Sequence, residues 1–209
     1  GRGTTVNVGV VEGGTRPNLW DREIARRLQA CGLIRISFGL ESTDPEVRRL
    51  IKKEVPLESY LAANRLNNQL GLETINSVML GLPGETRESI RNTVDFLCRA
   101  KDIQHATYGI AMPYPGTELW DMAHQGTGGL KLLDLDFAHF QRYDSAVMEI
   151  NGLLPAELIA LQRQGLMRIY SCWWRILPTL RRNGLRALIP PVVNAILKFF
   201  RSRRVAPSP

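Results

Sequence analysis

Three strand-to-loop junctions constrain this chain more than anything else in it: FGLES at 38–42, MLGLPGE at 79–85 and AMPYPGTEL at 111–119. In each, an apolar strand-like run stops at Gly, Pro or Glu, and helical sequence follows. In a parallel α/β fold the carboxyl ends of the strands open on one face, and ligands bind there. Glu41, the Gly81–Glu85 loop and the Pro113–Glu118 loop are therefore expected to converge on one site despite their distance in sequence.

The rest of the chain supports that layout. TVNVGV at 5–10 reads as a short β-branched strand. A helix over 19–31 follows, with Asn18 as its cap and Gly32 as its left-handed stop. Strand 33–40 alternates Ile34, Ile36 and Phe38 with Arg35 and Ser37. Asp44 caps a short helix that has Pro45 in its first turn and turns Val47, Leu50 and Ile51 inward. A second helix over 57–70 ends at Gly71, and strand 73–80 comes next. Thr86 caps a long helix that carries Ile90, Val94, Leu97 and Cys98 at helical spacing. Strand 106–112 leads through PYPGT to a helix over 117–124. Residues 125–150 read as irregular, with an edge strand at 145–150. From Leu154, LPAELIALQRQGLMRIYSCWWRIL reads as one amphipathic helix.

Strands alternating with helices specify parallel pairing with right-handed crossovers. Four strands are too few to close a barrel, and the first begins at the chain's own end. The expected fold class is α/β: an incomplete parallel (βα) barrel, the carboxyl-terminal part of a partial TIM-type barrel, followed by a helical tail. The expected division is 1–150 for the barrel part and 151–209 for a basic amphipathic extension, with further βα units before Gly1.

Charge separates these parts. Ten of the 27 basic residues lie beyond Glu157, where no acidic residue stands, and the other 17 are set against 20 acidic ones. The high isoelectric point describes the tail, and it suggests an anionic partner there. Cys31, Cys98 and Cys172 are far apart, with no CxxC or CxxxCxxC, which argues against a disulfide framework and against a self-contained zinc or iron–sulfur site. Cys31 and Cys98 read as core or half-buried thiols, and a reducing cytoplasm is the expected compartment. His105, His124 and His139 have no metal-ligand spacing and are assigned no role.

The candidate site residues follow from the junctions. Glu41 ends a strand and could accept two hydrogen bonds from a diol such as a ribose, or simply cap the Ser42–Asp44 turn. Lys53, at the end of the next helix, could hold a ligand carboxylate; the helix dipole also favours a lysine there without one. Gly81 permits close approach of backbone to a flat ligand, and Pro83–Gly84 forms a tight turn. The loop lacks the lysine and spacing of a phosphate loop. Pro113 and Pro115 stiffen the loop around Tyr114, whose neighbouring carbonyls could read an exocyclic amine. Arg16, after the first strand, could touch the ligand or form a structural salt bridge.

Taken together, CGLIRISFGLES, DPEVRRLIKK, MLGLPGET, RNTVDFL and YGIAMPYPGTELW resemble the radical S-adenosylmethionine (SAM) superfamily, in particular its cobalamin-binding, Elp3/MiaB/NifB-like branch. The resemblance runs from about Arg16 to Leu119. It implies that Glu41 contacts the ribose of S-adenosylmethionine, that Lys53 holds the methionine carboxylate, and that Gly81 and Leu82 lie on the adenine side. It further implies that Pro113 and Tyr114 offer backbone to adenine and that Arg16 lies at a strand end facing the same ligand. The family's chemistry uses a [4Fe-4S] cluster to release a 5′-deoxyadenosyl radical, with cobalamin as a further cofactor of this branch. Its CxxxCxxC ligands, and a cobalamin-binding domain, are expected before Gly1. The chain itself would then bind the adenosyl and methionine side and be inactive without that remainder. A non-catalytic α/β module that binds a nucleoside or a protein is the alternative. The tail, with Trp173, Trp174, Phe199 and Phe200 among its cations, reads as a helical appendage, a peripheral membrane-surface contact or, less favoured, an RNA contact.

Overall fold

A computed structural model describes residues 4–7, as backbone, and 20–177. The strands β1 (Thr4–Asn7), β2 (Leu33–Glu41), β3 (Glu73–Leu80) and β4 (His105–Ile110) form one sheet in the order β1-β2-β3-β4. Every pairing in it is parallel. The helices α1 (Arg22–Ala30), α2 (Pro45–Leu50), α3 (Leu57–Leu70), α4 (Arg87–Arg99) and α5 (Glu118–Gln125) intervene. This is the βα order expected of a partial parallel barrel.

Local chemistry sets the boundaries. Asp44 accepts from the Glu46 and Val47 N–H groups with Pro45 in the first turn, and Thr86 and Ser89 form a reciprocal capping box. Gly71 adopts the left-handed conformation that stops α3. One helix start differs from expectation. Asp21, not Asn18, caps α1 by accepting from the Ile24 N–H, and Asn18 lies outside the described residues. Cys31 is exposed rather than buried, because it forms the exposed end of α1.

Alternation on the strands divides the sheet into two faces. Ile36 and Leu40, Val78 and Leu80, and Ala106, Tyr108 and Ile110 are buried. Most of them join Tyr60, Ile90, Val94 and Leu97 in the main core. This buried layer is not wholly apolar. Asn64 of α3 and Asn76 of β3, both fully buried, exchange hydrogen bonds of 3.1 and 2.8 Å, and Asn67 donates to Thr74 at 3.0 Å. Buried amides paired in this way fix the register of α3 on β3, since any slip would leave them unsatisfied. The opposite face carries Ser37, Gly39 and Glu41 on β2, Ser77 and Met79 on β3, and Thr107 and Gly109 on β4.

Residues 125–150 are more ordered than expected. The strands β5 (Leu130–Leu132) and β6 (Met148–Ile150) pair antiparallel in a separate two-stranded sheet. Their Leu130, Met148 and Ile150 are buried in the main core. The helix α6 (Pro155–Tyr170) adds Leu158, Leu161 and Ile169 to that core and ends before Ser171, so the expected single helix from Leu154 is interrupted. The chain groups into two compact units, Gly1–Ile169 and Tyr170–Pro209. No helix among the described residues is long and apolar enough to cross a membrane.

Candidate functional site at the strand ends

The carboxyl ends of β2, β3 and β4 lie side by side: Glu41 pairs with Val78, and Leu80 pairs with Ile110. The three junctions thus occupy neighbouring positions on one rim, and the Ala111 N–H donates to the Leu80 carbonyl at 2.8 Å just beyond the last pair. The segment after α2 is also joined to α5 by an ion pair, Lys52 Nζ to Glu118 at 3.0 Å. It is exposed and contributes little stability, but it places the end of α2 against the start of α5.

Glu41 is set by unusual backbone. Two residues of β2 oppose one of β3 between Gly39 and Glu41, a bulge, and Glu41 itself has φ 62°. A non-glycine residue in that region is uncommon and holds only where its surroundings impose it. Here the imposing residue is Arg48 of α2, buried at 7% exposure. Its guanidinium donates to the carbonyls of Leu40 at 3.2 Å, Ser42 at 2.9 Å and Val55, and lies 5.8 Å from the centre of the Tyr60 ring. The Tyr60 hydroxyl in turn donates to the Gly39 carbonyl at 2.8 Å. Five donors in a rigid fork suit this task, and a lysine could not match them. Sequence reasoning missed Arg48. The signal available was its place beside the inward Val47, where an arginine needs several acceptors.

The Glu41 carboxyl folds back over Gly39. A Cβ at residue 39 would stand 2.5 Å from Glu41 Oε1 and 3.3 Å from Lys53 Nζ, so glycine there makes the cradle. Lys53 reaches this point because Lys52 takes the left-handed conformation (φ 56°) after α2, and the Lys53 N–H donates to the Arg48 carbonyl at 2.8 Å. Glu41 Oε2 is buried and has no hydrogen-bond partner among the described residues. Burial raises the carboxyl above its ordinary pKa, and the charges of Lys53 and Arg142 act in the opposite direction. An orphaned acceptor beside an ammonium is an arrangement ready for a ligand that brings hydroxyl or ammonium donors and a carboxylate.

The second loop behaves differently. Leu82–Glu85 is a tight turn, with the Glu85 N–H donating to the Leu82 carbonyl at 3.1 Å, Pro83 second and left-handed Gly84 third. The Gly81 and Leu82 N–H groups both donate to Glu85 Oε2, at 2.5 and 3.2 Å. Those N–H groups are thereby committed within the loop. Glu85 points into the core at 1% exposure rather than toward the rim. Burial pushes its carboxyl up to about 8, despite the two backbone donors. The third loop repeats the turn at Tyr114–Thr117, with left-handed Gly116, and Thr117 Oγ1 donates to the Tyr114 carbonyl at 2.7 Å. Pro113 is buried, while Tyr114 is half exposed and its hydroxyl donates to the Phe140 carbonyl at 3.3 Å. Arg16 and the basic residues from Arg181 onward lie outside the described residues.

Among the described residues no group of three His, Cys, Asp or Glu side chains could hold a metal ion. Residues 5–97 match the model of the Radical SAM superfamily. That stretch, a little under half of the chain, is similar to the radical SAM superfamily. The chain is similar to the uncharacterized methyltransferase PH0819 of Pyrococcus horikoshii, at 28% identity over 75% of this chain and 33% of that protein. It is also similar to the [FeFe] hydrogenase maturase subunit HydE of Thermotoga maritima, at 28% identity over 48% of this chain and 28% of that one. In fold it is similar to the radical SAM methyltransferase TsrM of Kitasatospora setae, with TM-score 0.55 and 22% identity over 71% of this chain and 34% of that structure. The chain spans a third or less of the length of the curated relatives it matches.

Proposed function

We propose that this chain is the adenosyl- and methionine-binding part of a radical SAM enzyme. The observation that carries the reading is the orphaned, buried Oε2 of Glu41, held over Gly39 beside Lys53 by a bulged strand end. S-adenosylmethionine brings the groups this pair needs: vicinal ribose hydroxyls and an ammonium for Glu41, and a carboxylate for Lys53. Pro113 and Tyr114 would face the adenine with backbone. Gly81 and Leu82 shape that side of the rim, with their N–H groups turned to Glu85.

When bound beside a [4Fe-4S] cluster, S-adenosylmethionine supplies a 5′-deoxyadenosyl radical. The three scattered cysteines of this chain do not form a cluster site, so the electron-donating half of the reaction belongs to another segment of the enzyme. This chain's residues bind and orient, and on their own they would not turn substrate over. Cobalamin is proposed as a further cofactor. Its support is the likeness in fold to TsrM, whose structure contains cobalamin and a [4Fe-4S] cluster. For the tail, Trp173 at 67% exposure and the run of cations beyond Glu157 favour contact with an anionic membrane surface.

The test is reductive cleavage by the full-length protein, reconstituted anaerobically with iron and sulfide and reduced with dithionite. The expected result is 5′-deoxyadenosine and methionine from S-adenosylmethionine, with neither formed by residues 1–209 alone. A reconstituted full-length protein that binds no S-adenosylmethionine would overturn the reading.

A further inference from the structure

Arg142 has entered so far only through its charge, which acts on the Glu41 carboxyl. It lies outside residues 5–97, the stretch that matches the superfamily. Its backbone is fixed: the Arg142 carbonyl accepts from the Ile110 N–H at 2.8 Å and from Gln162 Nε2 of α6, also at 2.8 Å. The segment therefore lines the free edge of β4. From that edge the side chain turns across the sheet face opposite the helices. A Cβ at Gly109 would meet Arg142 Nε at 3.2 Å and Nη2 at 3.3 Å, so the absence of a side chain at 109 lets the guanidinium lie flat on β4. Its Nη2 reaches Ser77 Oγ on β3 at 3.4 Å, and Thr107 Oγ1 lies 3.4 Å from the same oxygen. Among the described residues the guanidinium makes no ion pair, and its one side-chain hydrogen bond is that long contact.

We propose that Arg142, with the Ser77 and Thr107 hydroxyls, binds the carboxylate of an organic acid on the open face of the sheet, next to Glu41. The backbone is held while the head is not, which is the arrangement of an anchor prepared for a ligand rather than of a structural strut. A planar fork pairs with two oxygens of a carboxylate. A dianion such as a phosphate is disfavoured, since Glu41 is close enough to feel the Arg142 charge and would repel the second negative charge. Met79, paired with Gly109 on the same face, offers apolar surface to the body of the acid. The site's use as the substrate subsite rests on the S-adenosylmethionine reading above; its ability to bind a carboxylate does not.

The experiment is a ligand-detected NMR titration of the full-length protein with 4-phenylbutyrate and with its amide. The acid is expected to bind at least about ten-fold more tightly than the amide, the scale of one charge-assisted pair. In Arg142→Met that preference is expected to vanish, and in Arg142→Lys to be partly kept. Equal binding of acid and amide, or a preference that survives in Arg142→Met, overturns the proposal. Affinity for S-adenosylmethionine is measured on the same samples and is expected to change less than three-fold. A large loss there in Arg142→Met would move the arginine into the S-adenosylmethionine site and overturn the assignment. Absence of S-adenosylmethionine binding in the unmutated protein, with the acid preference intact, would instead remove only the substrate role.

Discussion

Replacing Glu85 by Gln should flatten the pH dependence of stability between about pH 5 and pH 8. Glu85 is buried, and its carboxyl is pushed up to about 8 from an ordinary 4.5. In the unfolded chain it ionises near 4.5, while in the folded chain it stays neutral until about 8. Its contribution is therefore fully present below about pH 4.5. It declines as the pH rises toward 8 and is level beyond, a loss on the order of 4 kcal/mol over the window. Glutamine keeps an oxygen to accept from the Gly81 and Leu82 N–H groups and has no charge to lose. Urea unfolding at pH 5 and pH 8 checks this. The two proteins should be close in stability at pH 5, and Glu85→Gln should be the more stable by several kcal/mol at pH 8. Parallel profiles would show that the carboxyl ionises in place. Glu85→Ala should be destabilised at both, because two buried N–H groups lose their acceptor.

The other large effect is expected at Arg48. Arg48→Ala leaves the carbonyls of Leu40, Ser42 and Val55 without this donor and uncovers the Tyr60 ring. Loss of a buried charged donor with several acceptors costs about 3 kcal/mol. The same carbonyls bracket Glu41, so the bulge and its left-handed residue lose the group that imposes them. Thermal unfolding should show a drop of several degrees, and affinity for S-adenosylmethionine should fall with it although Arg48 does not face the ligand. Arg48→Lys should recover part of the stability and less of the affinity, since a point charge cannot bridge three carbonyls in one plane. A variant with normal stability would mean that the strand end holds itself.

Much of this molecule is legible in its sequence. Asp44, Thr86 and Gly71 announced their helix ends because capping is local chemistry. The βα order announced a parallel sheet, and so placed Glu41, Gly81 and Pro113 on one rim. What remained hidden depends on contacts between distant residues. Arg48 looks like an ordinary charge on a short amphipathic helix, and only the fold shows that it is buried under the strand end. Glu85 reads as a rim carboxylate by position, yet the turn at Pro83–Gly84 directs it inward to the loop's own N–H groups. The pairing of β5 with β6 was missed because three-residue strands give almost no periodic signal. Arg142 sits in that same stretch, and its place over Gly109 follows from β4 having a free edge.

On the proposed function, Glu41, carried over Gly39 by the bulged end of β2, holds S-adenosylmethionine. Calorimetric titration of the full-length protein with S-adenosylmethionine, unmutated and as Glu41→Gln, tests it most directly. Gln keeps the size and removes the charge. Binding is expected to be at least about ten-fold weaker in Glu41→Gln, the scale of one lost charge-assisted pair, with an unchanged circular dichroism spectrum. Equal affinity in the two proteins would contradict it.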